Sequence, residues 1–369
     1  MHVVIACDKF KGSLGALEAC RAIQRGLGEG VTADLCPIAD GGEGFVEAMV
    51  TAAGGAMIHA PAHDPLGRPI EAIYGLIDVA GSRTAVIEMA AASGLWRLDP
   101  AERNPRLAST FGTGELMRHA VEVSGAKRLL VGLGGSATND GGAGMAAALG
   151  VRFFDEDDQP LEAVPEALAR LAGFDETGRM DLPEILVACD VDHPLLGERG
   201  ASAVFGPQKG ASPVDVAFLE AVLTRLVVVC GGEGEEIAAG AGAAGGLGFG
   251  LLRFTGARLV PGFDLVSGAL GLRSKLAAAD LVITGEGSLD AQTLGGKGPA
   301  GVARLARSLG KPVVAFAGRS EAVADAEFDA IYDLSGFGLP VDESMRRGGE
   351  LLEARAASVA YLLKGRSQA

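Results

Sequence analysis

The chain has 369 residues and a formal net charge of −15, long enough for two domains. That charge argues against general binding to nucleic acid or to an anionic membrane surface, but leaves room for a small anion, which needs only a local cluster of donors. Only eight of the 32 basic residues are lysine, and no apolar run approaches the ~20 residues of a membrane span.

Short apolar runs alternate with helical patterns from end to end, which predicts an α/β fold. Val3–Cys7 reads as a strand, Leu17–Leu27 as a helix, Ala33–Ile38 as a strand and Phe45–Ala53 as a helix. The chain enters a strand at once, so a signal peptide is not expected. From about Asp64 the texture changes. The strands Ile70–Ile77 and Thr84–Met89 are longer and more polar, with Pro-Leu-Gly and Ala-Gly-Ser turns. Further strands are predicted at Leu129–Leu133, Ile185–Cys189, Leu281–Thr284, Val313–Ala317 and Ile331–Leu334, and helices at Val302–Leu309 and Met345–Leu363. The Gly/Ala-rich stretch 231–250 carries Leu247 and Phe249 and runs into Leu251-Leu252, so it reads as a packed loop and helix start rather than a linker. Both chain ends share the same buried-strand character. The expectation is a Rossmann-like parallel-sheet domain built from 1–65 plus 275–369, with a second α/β domain, 66–274, inserted. The crevice between them would be the default ligand site. Five cysteines without a CxxC pair suit a reduced, cytoplasmic protein, and the histidines have no metal-ligand spacing.

The most informative segment is Leu133-Gly-Gly-Ser-Ala-Thr-Asn-Asp-Gly-Gly-Ala-Gly144, between a strand and a helix. Glycines, hydroxyls and a helix N-terminus present N–H groups to an anion. Gly134, Gly135, Ser136, Thr138, Asn139, Gly141 and Gly142 are the candidate phosphate cradle. Asp140 would repel a phosphate unless a metal ion sits between them or the acid takes a proton. The alternative is a tight turn with Asn139 and Asp140 as caps.

Other strand ends carry polar clusters, where parallel α/β sheets bind ligands. Asp8-Lys-Phe-Lys-Gly-Ser13 joins an acid to Lys9 and Lys11, with Ser13 a candidate cap for the next helix. Asp40-Gly-Gly-Glu-Gly44 reads as a capping box, with Asp40 at the cap and Glu43 three residues on, or as a carboxylate pair for Mg²⁺ or a hydroxyl. Ile185-Leu-Val-Ala-Cys-Asp-Val-Asp192 puts Asp190 and Asp192 on one side of an extended segment. Phe205-Gly-Pro-Gln-Lys-Gly210 offers Gln208 and Lys209. Val282–Asp290 ends with Glu286, Ser288 and Asp290 and leads to Thr293 and Lys297, without the order of a P-loop. Glu88 in an apolar strand needs a partner, and Arg103 completes the polar set. Many acids and a few lysines at strand ends suit phosphoryl transfer. A Mg²⁺-dependent phosphatase or mutase on a small sugar acid fits almost as well, and a non-catalytic hydroxy-acid sensor is the reading from a different class.

Together these segments resemble the bacterial glycerate kinase family, the glycerate 2-kinase-like type. The matching motifs are Asp8–Ser13, Ala39–Gly44, Ile87–Gly94, Arg103-Asn-Pro105, Phe111–Glu115, Gly132–Gly142, Ala188–Asp192, Phe205–Gly210, Gly242–Gly248 and Thr284–Gly287, in family order over nearly the whole chain. Two departures are Cys7-Asp8-Lys9 in place of Pro-Asp-Ser, and Gly287-Ser-Leu-Asp290 where an arginine often precedes the aspartate region. The resemblance implies two α/β domains with a cleft and transfer of the ATP γ-phosphoryl to D-glycerate with Mg²⁺, 2-phosphoglycerate being favoured. It also implies a cytoplasmic place in sugar-acid breakdown; neither nucleic acid nor membrane is expected as a partner, and a homodimer is allowed. On that reading Asp190, Lys9 and Lys209 are catalytic; Asp8, Lys11, Asp40, Glu43 and Arg103 bind substrate. Lys297 joins the 134–142 loop at the nucleotide phosphates, and Asp140, Asp192, Glu286 and Asp290 are the metal candidates.

Overall fold

The computed structural model describes residues 1–39, 41–290, 293 and 298–366, with the side chains of all of these except Val323, Asp325 and residues 361–366. The chain is α/β and folds into two compact units. The first takes both chain ends, with Glu47–Gly54 and everything described from Phe263 onward; the second takes Gly41–Val46 and Gly55–Gly262.

The first unit is built on a five-stranded sheet in the order Thr32–Leu35, His2–Cys7, Leu281–Leu289, Val313–Ser320, Ala330–Asp333, and every pairing is parallel. Strands buried on both faces read as unbroken apolar runs, and Val3 to Cys7 are all fully buried. Successive side chains alternate faces. Val3, Ile5, Cys7, Leu281 and Ile283 pack with Cys20 and Ile23 of the helix Ala16–Leu27 and with Leu351 and Leu352 of the helix Gly348–Arg366. Burying each large aliphatic side chain contributes about 1.5–3 kcal/mol, so this core outweighs any single surface contact. Burial also holds cysteines as thiols: Cys36 is pushed up to about 11.

Three local expectations are corrected here. The strand from Leu281 runs to Leu289 rather than stopping at Thr284, because the parallel ladder continues through Glu286↔Ala317 and Ser288↔Arg319. The helix predicted over Met345–Leu363 breaks at Arg347 into Val341–Arg346 and Gly348–Arg366, where a side chain at 348 would meet the Ser13 hydroxyl. Ser13 does not cap the helix from Ala16. Its hydroxyl donates to the Met345 carbonyl (2.5 Å), and the Gly15 N–H is taken by Glu18 (3.0 Å).

The second unit has a six-stranded sheet in the order Arg258–Val260, Glu184–Ala188, Arg128–Gly132, Ser82–Glu88, Pro69–Val79, Ala56–His63. The first four strands are parallel and the last two antiparallel. Eight paired residues tie Ala56–His63 to Pro69–Val79, which is why this unit takes 55–65 and not only the chain from 66. At the other end Phe263 lies against Gly301 of the helix Gly298–Ser308, so 263–274 packs with the first unit. A small antiparallel sheet, Pro160–Leu161, Arg152–Phe154 and Gly173–Asp175, packs its Phe153 with Val222, Leu226 and Cys230 of the helix Pro213–Cys230. Ser212 and Asp215 form a reciprocal cap on that helix.

Candidate active site

In the first unit the strand order reverses beside the first strand. The chain steps outward from His2–Cys7 to Thr32–Leu35, then returns on the other side at Leu281–Leu289. At such a switch point the connections diverge and leave room for a ligand beyond the carboxyl ends of the strands. Asp8 follows the first strand there, and its Oδ1 accepts the Lys9 N–H (2.6 Å). The helix Gly298–Ser308 begins against it: a Cβ at Gly298, whose φ is +47°, would lie 3.0 Å from Asp8 Oδ2. The neighbouring strand end presents Glu286, Ser288 and Asp290. Glu286 Oε1 accepts the Thr293 hydroxyl (2.7 Å), and the Asp290 N–H reaches Thr293 Oγ1 (3.1 Å). The Ser288 hydroxyl donates to Asp290 Oδ2 (3.2 Å) and accepts from Arg319 Nε (3.0 Å). The backbone of Phe10 and Lys11 crosses close to Gly287. Asp40 and Lys297 lie outside the described residues.

In the second unit the loop 41–46 lies over the carboxyl ends of the parallel strands. The Gly134 N–H donates to the Gly41 carbonyl (3.2 Å), and a Cβ at Gly41 would sit 2.5 Å from that of Ala188. Glu88 finds its partner here: Oε1 accepts the Val46 N–H (2.8 Å) in the first turn of the helix Phe45–Ala53. That helix begins two residues after Glu43, so the exposed Glu43 is not at the third helical position and the capping-box reading of this motif does not hold. Asp190 follows Glu184–Ala188, and its Oδ1 accepts the Gly262 N–H (3.0 Å).

The glycine loop departs most from expectation. Asp140 is fully buried, and its Oδ2 accepts from the Thr110 N–H (2.7 Å), the Thr110 hydroxyl (2.7 Å) and the Gly144 N–H (3.1 Å), while Oδ1 takes the Gly142 N–H (3.1 Å). The Met145 N–H goes to Thr110 Oγ1 (2.8 Å), so the helix Ala143–Ala148 is capped from within and its N-terminus holds a carboxylate of its own chain. This corrects the metal role of Asp140 and the phosphate role of Gly141 and Gly142. Burial raises the Asp140 carboxyl above its ordinary range, against the pull of those donors. The Gly141 N–H donates to the Gly245 carbonyl (3.1 Å), in a Gly/Ala stretch where residues 244–246 all take positive φ. Any side chain at 245 would strike the Thr138 carbonyl, so the two segments meet backbone to backbone. Thr138 and Asn139 are fully buried, and Asn139 Nδ2 donates to Ser202 Oγ (3.0 Å). Gly135 is exposed, Gly134 half-buried and Ser136 nearly buried.

Lys209 is 1% exposed, and its Nζ donates to the Thr138 carbonyl (2.7 Å). Burial lowers its pKa to about 7, against the nearby Asp140 charge. The structure thus places Lys209 inside the unit, bonded to the glycine loop. Arg103 lies against Gly210, beside Lys209, and its Nε is buried without an acceptor among the described residues. Asp192 forms an exposed ion pair with Arg199 (3.0 Å), which holds its carboxyl below the usual range. Sequence reasoning missed Thr110, whose partner is 30 residues away, and Arg319. A strand-end Gly-Arg-Ser after an apolar run was the available signal for the latter.

A family model described as the glycerate kinase family matches residues 3–364. The chain belongs to the glycerate kinase family. It is 44% identical to a glycerate kinase of Halalkalibacterium halodurans, over 98% of this chain and 97% of that one. It is also 44% identical to the glycerate 2-kinase of Escherichia coli K12, over 86% and 85%. A crystal structure of a protein assigned as glycerate kinase 2 from Salmonella typhimurium LT2 superposes with a TM-score of 0.87 at 43% identity, covering all of both chains. This family member is thus an enzyme, a kinase, and among its described residues no helix is long and apolar enough to cross a membrane.

Proposed function

We propose that the enzyme transfers the γ-phosphoryl group of ATP to D-glycerate, with Mg²⁺, and that 2-phosphoglycerate is the favoured product. The observation that carries this reading is the edge of the first unit, where Glu286 and Asp290 share one strand end with Asp8, Lys9 and Lys11 close by at the switch point. Phosphoryl transfer asks for such a mixture, since the protein must position two anionic reactants and offset charge spread over phosphate oxygens. The glycerate kinase and glycerate 2-kinase relatives support the acceptor and the position.

In this reading Asp190 takes the proton of the attacking hydroxyl as its O–P bond forms and the bond from the γ-phosphorus to the bridging oxygen breaks, leaving ADP. The Gly262 N–H on Oδ1 fixes that carboxylate's orientation. Arg103, with a buried Nε that lacks an acceptor among the described residues, suits the glycerate carboxylate, because a buried donor gains most from a charged partner. Lys9 and Lys11 suit the transferring phosphoryl oxygens, and Asp8 a substrate hydroxyl. The less buried start of the glycine loop, Gly134 and Gly135 with the Ser136 hydroxyl beside them, keeps the phosphate role in this reading. Glu286 and Asp290 would hold Mg²⁺, which supplies charge neutralisation at the polyphosphate. The set fits a cation that takes one or two carboxylates and completes its shell with water and phosphate. Among the described residues no group of three or more His, Cys, Asp or Glu is arranged as a protein cage for a metal.

The test is ADP formation by purified protein with Mg-ATP and D-glycerate, with ³¹P NMR of the product. Glycerate-dependent ADP with a new phosphomonoester signal supports the kinase reading, and the coupling pattern separates the 2- from the 3-phosphate. Folded protein that forms no ADP above the glycerate-free control sinks it.

A further inference from the structure

The strand Val313–Ser320 reaches the same edge as Glu286 and Asp290, and its last turn outward is Gly318-Arg319. Arg319 pairs in register with Ser288, and its Nε donates to the Ser288 hydroxyl oxygen at 3.0 Å. That hydroxyl gives its own proton to Asp290 Oδ2 (3.2 Å), so a guanidinium, a hydroxyl and a carboxylate form one hydrogen-bonded chain that ends on the carboxylate as acceptor. Among the described residues no carboxylate lies within ion-pair distance of Arg319, whereas Arg68, Arg106, Arg128 and Arg253 each hold one. The side chain is exposed. Its two terminal NH₂ groups are therefore oriented through Nε, with no protein acceptor among the described residues.

The surroundings say what those groups could meet. A Cβ at Gly287 would lie 3.2 Å from the Lys11 N, and a Cβ at Gly318 would lie 2.5 Å from the Gly287 carbonyl. The strand end that carries two carboxylates is thus flanked by the main chain of Lys11 on one side and by Arg319 on the other. A guanidinium anchored at Nε presents its outer edge as a two-pronged donor, the geometry that matches phosphate oxygens. A polyphosphate brought to Glu286 and Asp290 would be repelled by them unless cations flank it.

We infer that Arg319 is a phosphate-contacting residue of this site: its terminal NH₂ groups take oxygens of the nucleotide polyphosphate, and Ser288 is the positioning residue that aims them. The inference rests on the kinase reading above and adds to it a cation of the first unit that contacts the nucleotide phosphates.

The experiment compares the parent protein with R319A, R319K and S288A, all checked for folding by thermal melts. Steady-state kinetics are run with Mg-ATP and D-glycerate varied in turn, and Mg-ADP binding is measured by calorimetry. R319A is expected to raise KM for ATP and weaken Mg-ADP binding by about ten- to a hundredfold, the loss for one hydrogen bond to a charged group. KM for glycerate should stay within about twofold, a change below the worth of any such contact. R319K should recover part of the loss, and S288A should move the same two constants by less. A merely structural arginine would not produce that split or the rescue. R319A with ATP and ADP constants like the parent's, or with a loss confined to glycerate, overturns the inference. If R319A fails to fold, the same criteria apply to R319K and S288A. A parent that binds Mg-ADP without acting on glycerate removes the acceptor assignment alone, and Arg319 is then judged on ADP binding. A parent that binds no Mg-ADP overturns both.

Discussion

Lys209 Nζ lies 2.7 Å from the carbonyl oxygen of Thr138, and both residues are buried. A lysine in that position is tied to the loop and not to solvent. Its charged form is disfavoured in the folded protein, which lowers its pKa from 10.5 to about 7. Between those two values the unfolded chain holds the proton and the folded chain releases it. Stability contributed by this group therefore rises from about pH 7 to about pH 10, and below pH 7 the cost of burying the charge is fully present. Lys209→Met should flatten that slope. Urea unfolding across pH 6.5 to 9.5 would reveal it, with the variant furthest below the parent at the alkaline end, where it lacks the bond to Thr138. Equal slopes in both proteins would refute the assignment.

Asp140→Ala removes the acceptor for three backbone N–H groups and a hydroxyl in a buried place. Leaving such donors unmet costs roughly 1–3 kcal/mol each, partly relieved by relaxation, so a loss of at least about 2 kcal/mol is expected. Denaturant midpoints measure it. A variant of parental stability whose only defect is in Mg²⁺ dependence would restore the metal role.

Asp190→Asn keeps an acceptor for the Gly262 N–H but removes the basic oxygen pair. Turnover should fall by about 10²- to 10⁴-fold, the range for loss of a general base, with little change in melting temperature. Near-normal turnover would take Asp190 out of the role of base.

Gly298→Ala places a methyl 3.0 Å from Asp8 Oδ2 at a φ of +47°. The left-handed backbone alone costs about 1–2 kcal/mol. A lowered melting temperature together with reduced turnover is expected, because Asp8 must move. A methyl tolerated in both assays would mean that the helix start does not constrain Asp8.

Much of the architecture was legible because strands buried on both faces announce themselves as apolar runs, as Val3–Cys7 and Val313–Ala317 do. The order of those strands was not. The pairing Val3↔Leu281 joins residues at opposite ends of the chain, and no local pattern encodes it. Asp140 illustrates the same limit at the site. A carboxylate after a glycine loop is compatible with a metal or with a cap, and the donor that decides, Thr110, comes from a distant helix start. Lys209 read as a Gly-Pro loop cation offered to a ligand, and only the packing around it shows that its Nζ reaches the Thr138 carbonyl inside the unit. The acids Asp8, Glu286 and Asp190 were legible as polar residues at the ends of apolar runs, whereas the sequence left open whether each binds a ligand or only closes a turn or ion pair.

The parallel ladder between His2–Cys7 and Leu281–Leu289 also has a consequence in time. The first strand leaves the ribosome with Thr32–Leu35 soon after it, but long before its other neighbour exists. At about 5–20 residues per second, the intervening chain takes roughly 15–60 s to synthesise. Residues 55–262, by contrast, form a continuous stretch that can close its own sheet during that interval. The nascent protein must therefore keep one of its most apolar strands, Val3 to Cys7, from pairing with the wrong edge until the C-terminal third arrives. Crowded synthesis or slowed elongation should tell on yield through this segment first.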